Sequence, residues 1–399
     1  MDIKEQFRRE INKKSVFKNR DLVSPHYVPD TLPFRENQIQ EIISDLAPAL
    51  QGNMPNNLFL YGKTGCGKTA TINKVLEKML EIQKESNLQQ SIVSIYINCR
   101  TYNSKYKVLL KVADNLFPKS YFGYSASFIY DSIVKELTQK NVFVIVVLDE
   151  IDLIKDANDA LYSLVRINDE IKQGATTIIG ISNNVLFKDC LDTRTKSGLC
   201  KKELIFPPYN AQELKEILTQ RIGIGFQEDC VEEGAIALAS AFAAQESGDA
   251  RTALLLLESG GEIADKKQTY KITEEEIKEA KKQVEEEIVV DMISTLPEQI
   301  KIVLFAIANM VKNNRFSTHL LDDGYVIYSG DAYLEYVKQI KQVSKQPVTM
   351  KWFKEYLGEL TTYGLLITTT SGKGVRGSTT LIKMAIDANT VMKVLETNL

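Results

Sequence analysis

The sequence predicts an α/β protein in which a parallel-sheet core is followed by a small helical unit and a C-terminal winged helix-turn-helix. Three observations predict it. Short, nearly uncharged apolar runs at 57–61, 92–98, 142–148 and 176–181 alternate with longer helical stretches, as strands do when a parallel sheet is covered on both faces. After Phe206-Pro207-Pro208 such runs stop, and helical patterns take over. Beyond about residue 288, three helical segments precede two β-type runs joined by a glycine-rich turn.

Residues 1–20 carry seven basic and three acidic groups with little apolar content, and read as a mobile or partner-bound arm. The core is expected over 21–206. Between its first two strands, Ile72, Val75, Leu76, Met79 and Leu80 recur at helical spacing, one face of a helix that packs on the sheet. Residues 207–287 form the helical unit, with helices at 211–222, around 236–244 and at 273–287; the last opens with Thr273 and Glu276 in capping-box spacing. In 288–399, helices are expected at 297–311, 331–342 and 349–362, with Met350, Phe353, Leu357 and Leu360 on one face of the third. The runs 365–370 and 379–385 complete a β-hairpin, and three helices with a hairpin spell the winged motif.

Composition removes several function classes. Two histidines, His26 and His319, stand far apart, which argues against a histidine metal cage or a catalytic triad. Five cysteines, odd in number and without a C-x-x-C, argue against a disulfide framework or zinc ribbon and fit a reducing compartment. No run reaches the length of a membrane-spanning helix and the first residues lack a signal sequence, so a cytoplasmic protein with no membrane partner is expected. The net charge of −3 is that of no simple nucleic-acid coat, so the distribution of charge matters more than its sum.

Gly62-Lys63-Thr64-Gly65-Cys66-Gly67-Lys68-Thr69 fits G-x-x-x-x-G-K-[ST] and lies after a predicted strand and before a predicted helix, the context a P-loop requires. Glycines let backbone N–H groups wrap phosphate oxygens, Lys68 reaches the β- and γ-phosphates, and Thr69 ligates Mg²⁺. The helix that follows adds its N-terminal dipole. Downstream, Val144–Leu148 ends in Asp149-Glu150. Asp149 is expected to hold the Mg²⁺ shell, and Glu150 to orient and deprotonate the water that attacks the γ-phosphate. A further strand ends in Ser182-Asn183-Asn184, where an amide can bond the γ-phosphate or that water.

Together with Leu148-Asp149-Glu150-Ile151-Asp152 and Gly180-Ile181-Ser182-Asn183, the loop is followed in order by Leu191-Asp192-Thr193-Arg194, Pro208-Tyr209-Asn210-Ala211-Gln212-Glu213-Leu214, Gly248-Asp249-Ala250-Arg251 and a winged helix. Over nearly the whole chain this order resembles the archaeal origin-recognition initiators, AAA+ ATPases related to the origin recognition complex and its helicase-loading partner. The resemblance implies an AAA+ P-loop core with a helical lid and a winged-helix domain, ATP/ADP and Mg²⁺ as cofactors, and slow ATP hydrolysis used as a conformational switch. It implies double-stranded origin DNA and a replicative helicase of the minichromosome maintenance type as partners, and association with a copy or paralogue at the nucleotide interface. By the same resemblance Asn183 is the first sensor, Arg194 the finger offered to a neighbouring subunit, and Arg251 the second sensor. Tyr209 and Arg221 line the nucleotide pocket at the hinge, and Tyr27-Val28-Pro29 with Pro33-Phe34-Arg35-Glu36 pack near adenine.

Residues 291–399 hold twelve basic and ten acidic groups, so location rather than total charge favours DNA. Lys373 and Arg376 sit at the glycine-rich wing tip, and Lys351 and Lys354 on the exposed side of the third helix, where they meet a groove or its phosphates. Arg100, Lys105, Tyr106 and Lys107 match the region from which this family makes a second DNA contact. Because Glu355 and Glu359 share that third helix, the residues leave open a winged helix that docks protein, as in an AAA+ signalling, scaffold or transposition-helper ATPase.

Overall fold

The computed structural model describes residues 14–86, 91–171, 173–313, 326–342, 345–370 and 379–398. The chain divides into two compact units, Met1–Ala280 and Lys281–Leu399.

The first unit is built on a five-stranded sheet in the order β2-β3-β4-β1-β5, formed by β1 (Leu58–Tyr61), β2 (Ser91–Asn98), β3 (Val142–Asp149), β4 (Ala175–Ser182) and β5 (Lys202–Ile205). All neighbours pair in parallel. The register sets Tyr61 beside Ser182, Asp149 beside Ile181 and Asn98 beside Asp149, so these strands end level along one edge. In an open parallel sheet that edge is where ligands bind. The expected strands are all present, and β5 is an addition. Its sequence, Lys-Glu-Leu-Ile, has one buried position, as suits a short charged strand that ends a sheet.

Every residue of β1, β3 and β4 is buried, and alternate side chains serve two cores. Phe59, Val144, Val146, Leu148 and Ile178 face one layer with α3 (Lys105–Leu116), α4 (Ala126–Lys140) and α5 (Ala157–Glu170). Leu58, Leu60, Ile145, Val147 and Ile179 face another with α1 (Glu36–Leu46) and α2 (Lys68–Glu85), into which Ile72, Val75, Leu76 and Met79 are inserted. Buried Asn57 pins the start of β1: its amide donates to Gly198 O at 2.8 Å, and its Oδ1 accepts from Ile178 N–H at 2.8 Å. Replacing Asn57 by alanine orphans both groups and is expected to cost about 1–3 kcal/mol, read as a lower urea midpoint at unchanged m-value.

After α6 (Thr193–Leu199) and β5 come α7 (Ala211–Gly225), α8 (Glu233–Glu246), α9 (Ala250–Lys267) and α10 (Glu274–Thr295). Asn210 and Glu213 form a reciprocal capping box on α7. At α10 the Glu276 carboxylate accepts from Thr273 N–H at 3.0 Å as foreseen, but the Thr273 hydroxyl accepts from Glu275 N–H, one residue earlier than a full box needs. Residues 15–20 are bound rather than free. Ser15 Oγ and Val16 N–H donate to Asp265, Arg20 pairs with Glu258 and Glu262, and the Phe17 ring lies on Gly261, where a Cβ would come within 2.4 Å of it.

The second unit centres on α11 (Glu298–Lys312), whose Ile300, Val303, Leu304 and Ile307 are buried. Around it lie α12 (Ser329–Gln342), α13 (Met350–Thr362) and a sheet in the order β6-β8-β7, with β6 (Ile327–Tyr328), β7 (Leu366–Thr370) and β8 (Thr380–Met384). Phe353, Leu357 and Leu360 of α13 are buried as expected, whereas Met350 is half-exposed. The short strand β6 and a fourth helix, α14 (Ala388–Asn398), add to the expected three helices and hairpin. Antiparallel pairing of β7 with β8 makes the hairpin of a winged helix. Lys351 and Lys354 stand exposed on α13. Lys373 and Arg376, at the wing tip, lie outside the described residues.

Candidate nucleotide site

The loop 62–69 joins β1 to α2 at the C-terminal edge of the sheet. Gly65 and Gly67 adopt left-handed backbone, with φ of 64° and 90°, which a side chain would strain. Gly67 is the residue from which α2 springs, so the loop's N–H groups and the helix dipole converge on one spot. Cys66 is buried beneath the loop, its thiol donating to Lys63 O at 2.9 Å, so the loop presents backbone there rather than a reactive side chain. Lys63 and Thr64 are exposed, and Thr64 lines the cavity described below.

The Lys68 ammonium donates to Gly62 O at 2.8 Å, Lys63 O at 2.7 Å and Asn183 Oδ1 at 2.8 Å. Burial pushes its pKa below the ordinary lysine value. Its donors therefore lie between the loop and the end of β4, where a phosphate oxygen can replace a carbonyl as acceptor. The two magnesium candidates, 80 residues apart in sequence, are in direct contact: Thr69 Oγ1 donates to Asp149 Oδ2 at 2.8 Å. Glu150 follows in a left-handed conformation, φ 54°. Its carboxylate accepts from Arg100 Nε at 3.0 Å, and the residue lines the cavity described below. The role expected of Arg100 toward DNA is thus set beside a contact made at the acid itself. On α3, Lys107 Nζ bonds Thr101 O and Asn103, the Tyr106 hydroxyl accepts from Gly123 N–H, and Lys105 N–H donates to Asp156.

Loop, acids and lid enclose one cavity of about 450 Å³, lined by Gly65, Lys68, Thr69, Asp149, Glu150 and Asn183 at one end and by residues 25–29, Tyr209 and Arg221 at the other. Arg251 lines it from the start of α9. Arg221 is 4% exposed and stacks 4.8 Å from the Tyr27 ring centroid, while its two terminal nitrogens donate to Leu22 O and Tyr27 O. Its Nε is a buried donor with no protein partner. Tyr209 is buried, and burial pushes its phenol up to about 12. Arg194, exposed at the start of α6, is not among the residues that line this cavity.

Three contacts escape a reading of motifs. Arg35, 2% exposed, does not point at the cavity's base end but clamps the loop from behind: Nε donates to Cys66 O at 2.8 Å and Nη2 to Pro207 O at 2.8 Å, with the guanidinium 3.8 Å from the Tyr209 centroid. A lone arginine between Phe34 and Glu36 was the available signal. On the lid, Ala250 N–H donates to Gly65 O at 3.3 Å and Asp249 lies so close that a Cβ at Gly65 would fall 1.4 Å from its Oδ1. Asp249 accepts from the Arg251 backbone N–H, a cap rather than a side-chain ion pair. Lastly, the Tyr96 hydroxyl donates to Asp149 Oδ2 at 2.7 Å; burial and that carboxylate raise its pKa, so it stays a donor.

These residues fit a magnesium nucleotide. A hydroxyl and a carboxylate in contact are the hard oxygen ligands Mg²⁺ takes, and the glycine loop and Lys68 suit phosphates.

The parallel sheet, the phosphate loop, the acids after β3 and the helices that close over them define an AAA+ ATPase. Residues 53–183 match the family model of an AAA domain, 215–282 that of a Cdc6 AAA+ ATPase-type lid domain, and 291–394 that of a CDC6 C-terminal winged helix domain. An ORC1-type DNA replication protein 1 of Archaeoglobus fulgidus is 37% identical over 97% of this chain and 92% of its own, and an ORC1-type DNA replication protein of Pyrococcus furiosus is 35% identical over 98% and 92%. The solved Aeropyrum pernix ORC1 protein in complex with DNA superposes with a TM-score of 0.82 at 31% identity, over 97% of this chain and 98% of that one. The chain belongs to the family of ORC1-type DNA replication proteins. It is an ATP-dependent replication initiator, with the winged-helix domain the sequence led us to expect.

Proposed function

We propose that the chain binds origin double-stranded DNA through its winged helix, under the control of a Mg²⁺-nucleotide held between core and lid, and helps load the replicative helicase. The observation that carries this is the union, in one chain of this family, of a complete phosphate site with a helix α13 whose Lys351 and Lys354 face solvent. The relative solved with DNA supports the DNA half. Thr69 and Asp149 hold the magnesium, which when bound offsets phosphate charge. Lys68 exchanges its carbonyl partners for β- and γ-phosphate oxygens. Glu150 takes the proton of the attacking water while Asn183 orients it, and Arg251 offsets charge on the γ-phosphate from the lid. Tyr209 and Arg221 hold the base end. Arg194 serves the pocket of a second copy or paralogue. Loss of the γ-phosphate removes the contact to Arg251 and frees the lid to move. Among the described residues no helix is long and apolar enough to cross a membrane, and we place the protein in the cytoplasm on its DNA.

The test is binding of the purified chain to a duplex carrying an origin of its own genome, against a scrambled duplex, with ATP and with ADP. Preference for the origin that survives raised salt is the expected result. Neutralising both Lys373 and Arg376 should lower the slope of log K against log salt by about 2, since each phosphate contact contributes roughly 0.9. Equal, salt-labile binding to both duplexes would move the winged helix to a protein-docking role.

A further inference from the structure

Asp149 is engaged by three donors, and a carboxylate offers only about four acceptor sites. Its Oδ1 accepts from the Glu150 N–H at 2.9 Å, and its Oδ2 from Thr69 Oγ1 at 2.8 Å and from the Tyr96 hydroxyl at 2.7 Å. One site remains, on Oδ1. Thr69 belongs to the phosphate loop and the Glu150 N–H to the strand end itself, whereas Tyr96 arrives from the neighbouring strand, where the register pairs it with Val147 and pairs Asn98 with Asp149. Tyr96 is no core residue. It is 42% exposed, while Ile95 and Ile97 on either side of it are buried and supply the packing of β2. What its ring does is deliver a hydroxyl to the carboxylate at the wall of the cavity, which both Tyr96 and Asp149 line.

We propose that Tyr96 is a positioning residue for the magnesium nucleotide: its hydroxyl locks the Asp149 carboxylate so that the one remaining acceptor site receives the metal's shell. The proposal rests on the reading of Thr69 and Asp149 as the magnesium-holding pair. A partner that orients a metal-holding carboxylate commonly contributes ten- to a hundredfold in metal affinity. Tyr96→Phe keeps the ring and removes one oxygen from a half-exposed position, so the fold is retained.

The experiment measures equilibrium binding of a fluorescent ADP analogue to the full chain in EDTA and along a magnesium titration. For Tyr96→Phe, binding in EDTA is expected to stay within about twofold of wild type, while the magnesium midpoint rises about tenfold. The maximal hydrolysis rate at saturating magnesium should return to within about twofold, a midpoint effect separated from a rate effect. Tyr96→Ala should shift the midpoint no further than the phenylalanine. An unshifted midpoint in Tyr96→Phe overturns the proposal; so does an equal loss with and without magnesium, or a loss seen in the alanine variant alone, since these point to ring contacts. Thr69→Ala run in parallel separates the two readings. If it abolishes the magnesium effect and Tyr96→Phe does not touch it, the positioning role alone falls. If Thr69→Ala leaves the magnesium effect intact, the metal pair is misassigned and the proposal falls with it.

Discussion

Replacing Glu150 with glutamine is expected to lower ATP hydrolysis by about 10²- to 10⁴-fold, the range a positioned general base supplies, while ATP stays bound. Glutamine keeps the length and planarity of the side chain and can still accept from Arg100, so little else changes. The ion pair it loses is between partly exposed groups, with side-chain exposures of 74% for Arg100 and 25% for Glu150. Such pairs are worth about 0–1 kcal/mol, so stability should move by less than that. Phosphate release under single-turnover conditions, beside a filter-binding measurement of ATP affinity, checks both halves. A rate within a few-fold of wild type would remove Glu150 from the reaction.

Lys68→Ala is expected to weaken nucleotide binding about 100-fold, near 3 kcal/mol, because it deletes a charge-assisted donor at the phosphates. In the free protein its ammonium bonds two loop carbonyls and Asn183, with Cys66 Sγ a longer contact at 3.7 Å. Asn183 lines the cavity and Lys63 is exposed, so water can take over at both, whereas the bond to Gly62 O is buried and its loss costs the free protein about 1–3 kcal/mol. Thermal unfolding with ADP separates the two effects. At a ligand concentration 100 times the wild-type Kd, ligand linkage stabilises the wild type by about 2.7 kcal/mol and the variant by only about 0.4. Equal stabilisation would place the phosphates elsewhere.

The residues most readily read from the sequence are those whose chemistry depends on a short run of chain. The phosphate loop needs glycines at fixed offsets, and Gly65 and Gly67 do adopt positive φ. The acids need an apolar strand that ends at the right edge, and β3 is buried from end to end. Thr69 and Asp149 were each expected at the metal, and their contact follows from a register that sets β1, β4 and β3 level. Strand β5 was less legible, since an edge strand of Lys-Glu-Leu-Ile lacks the apolar density of the strands it borders. The bound state of residues 15–20 was hidden for a related reason. Their partners, Asp265, Glu258 and Gly261, lie more than 200 residues away, and a basic run looks the same whether solvated or paired.

The sequence by itself determined the local groups: the glycine loop between strand and helix, the acids that close a buried strand and, away from the cavity, which stretches of the winged helix are basic. Periodicity and spacing encode such things because backbone conformation and strand alternation are local properties. Only the tertiary structure decided how those groups are held. Arg35 reaches the back of the loop and the hinge at Pro207, Asp249 of the lid closes on Gly65, and Tyr96 crosses from β2 to lock Asp149. Each of these joins segments that lie tens to hundreds of residues apart, and their meeting is set by the packing of helices on the sheet and by strand register, which no short stretch of sequence carries.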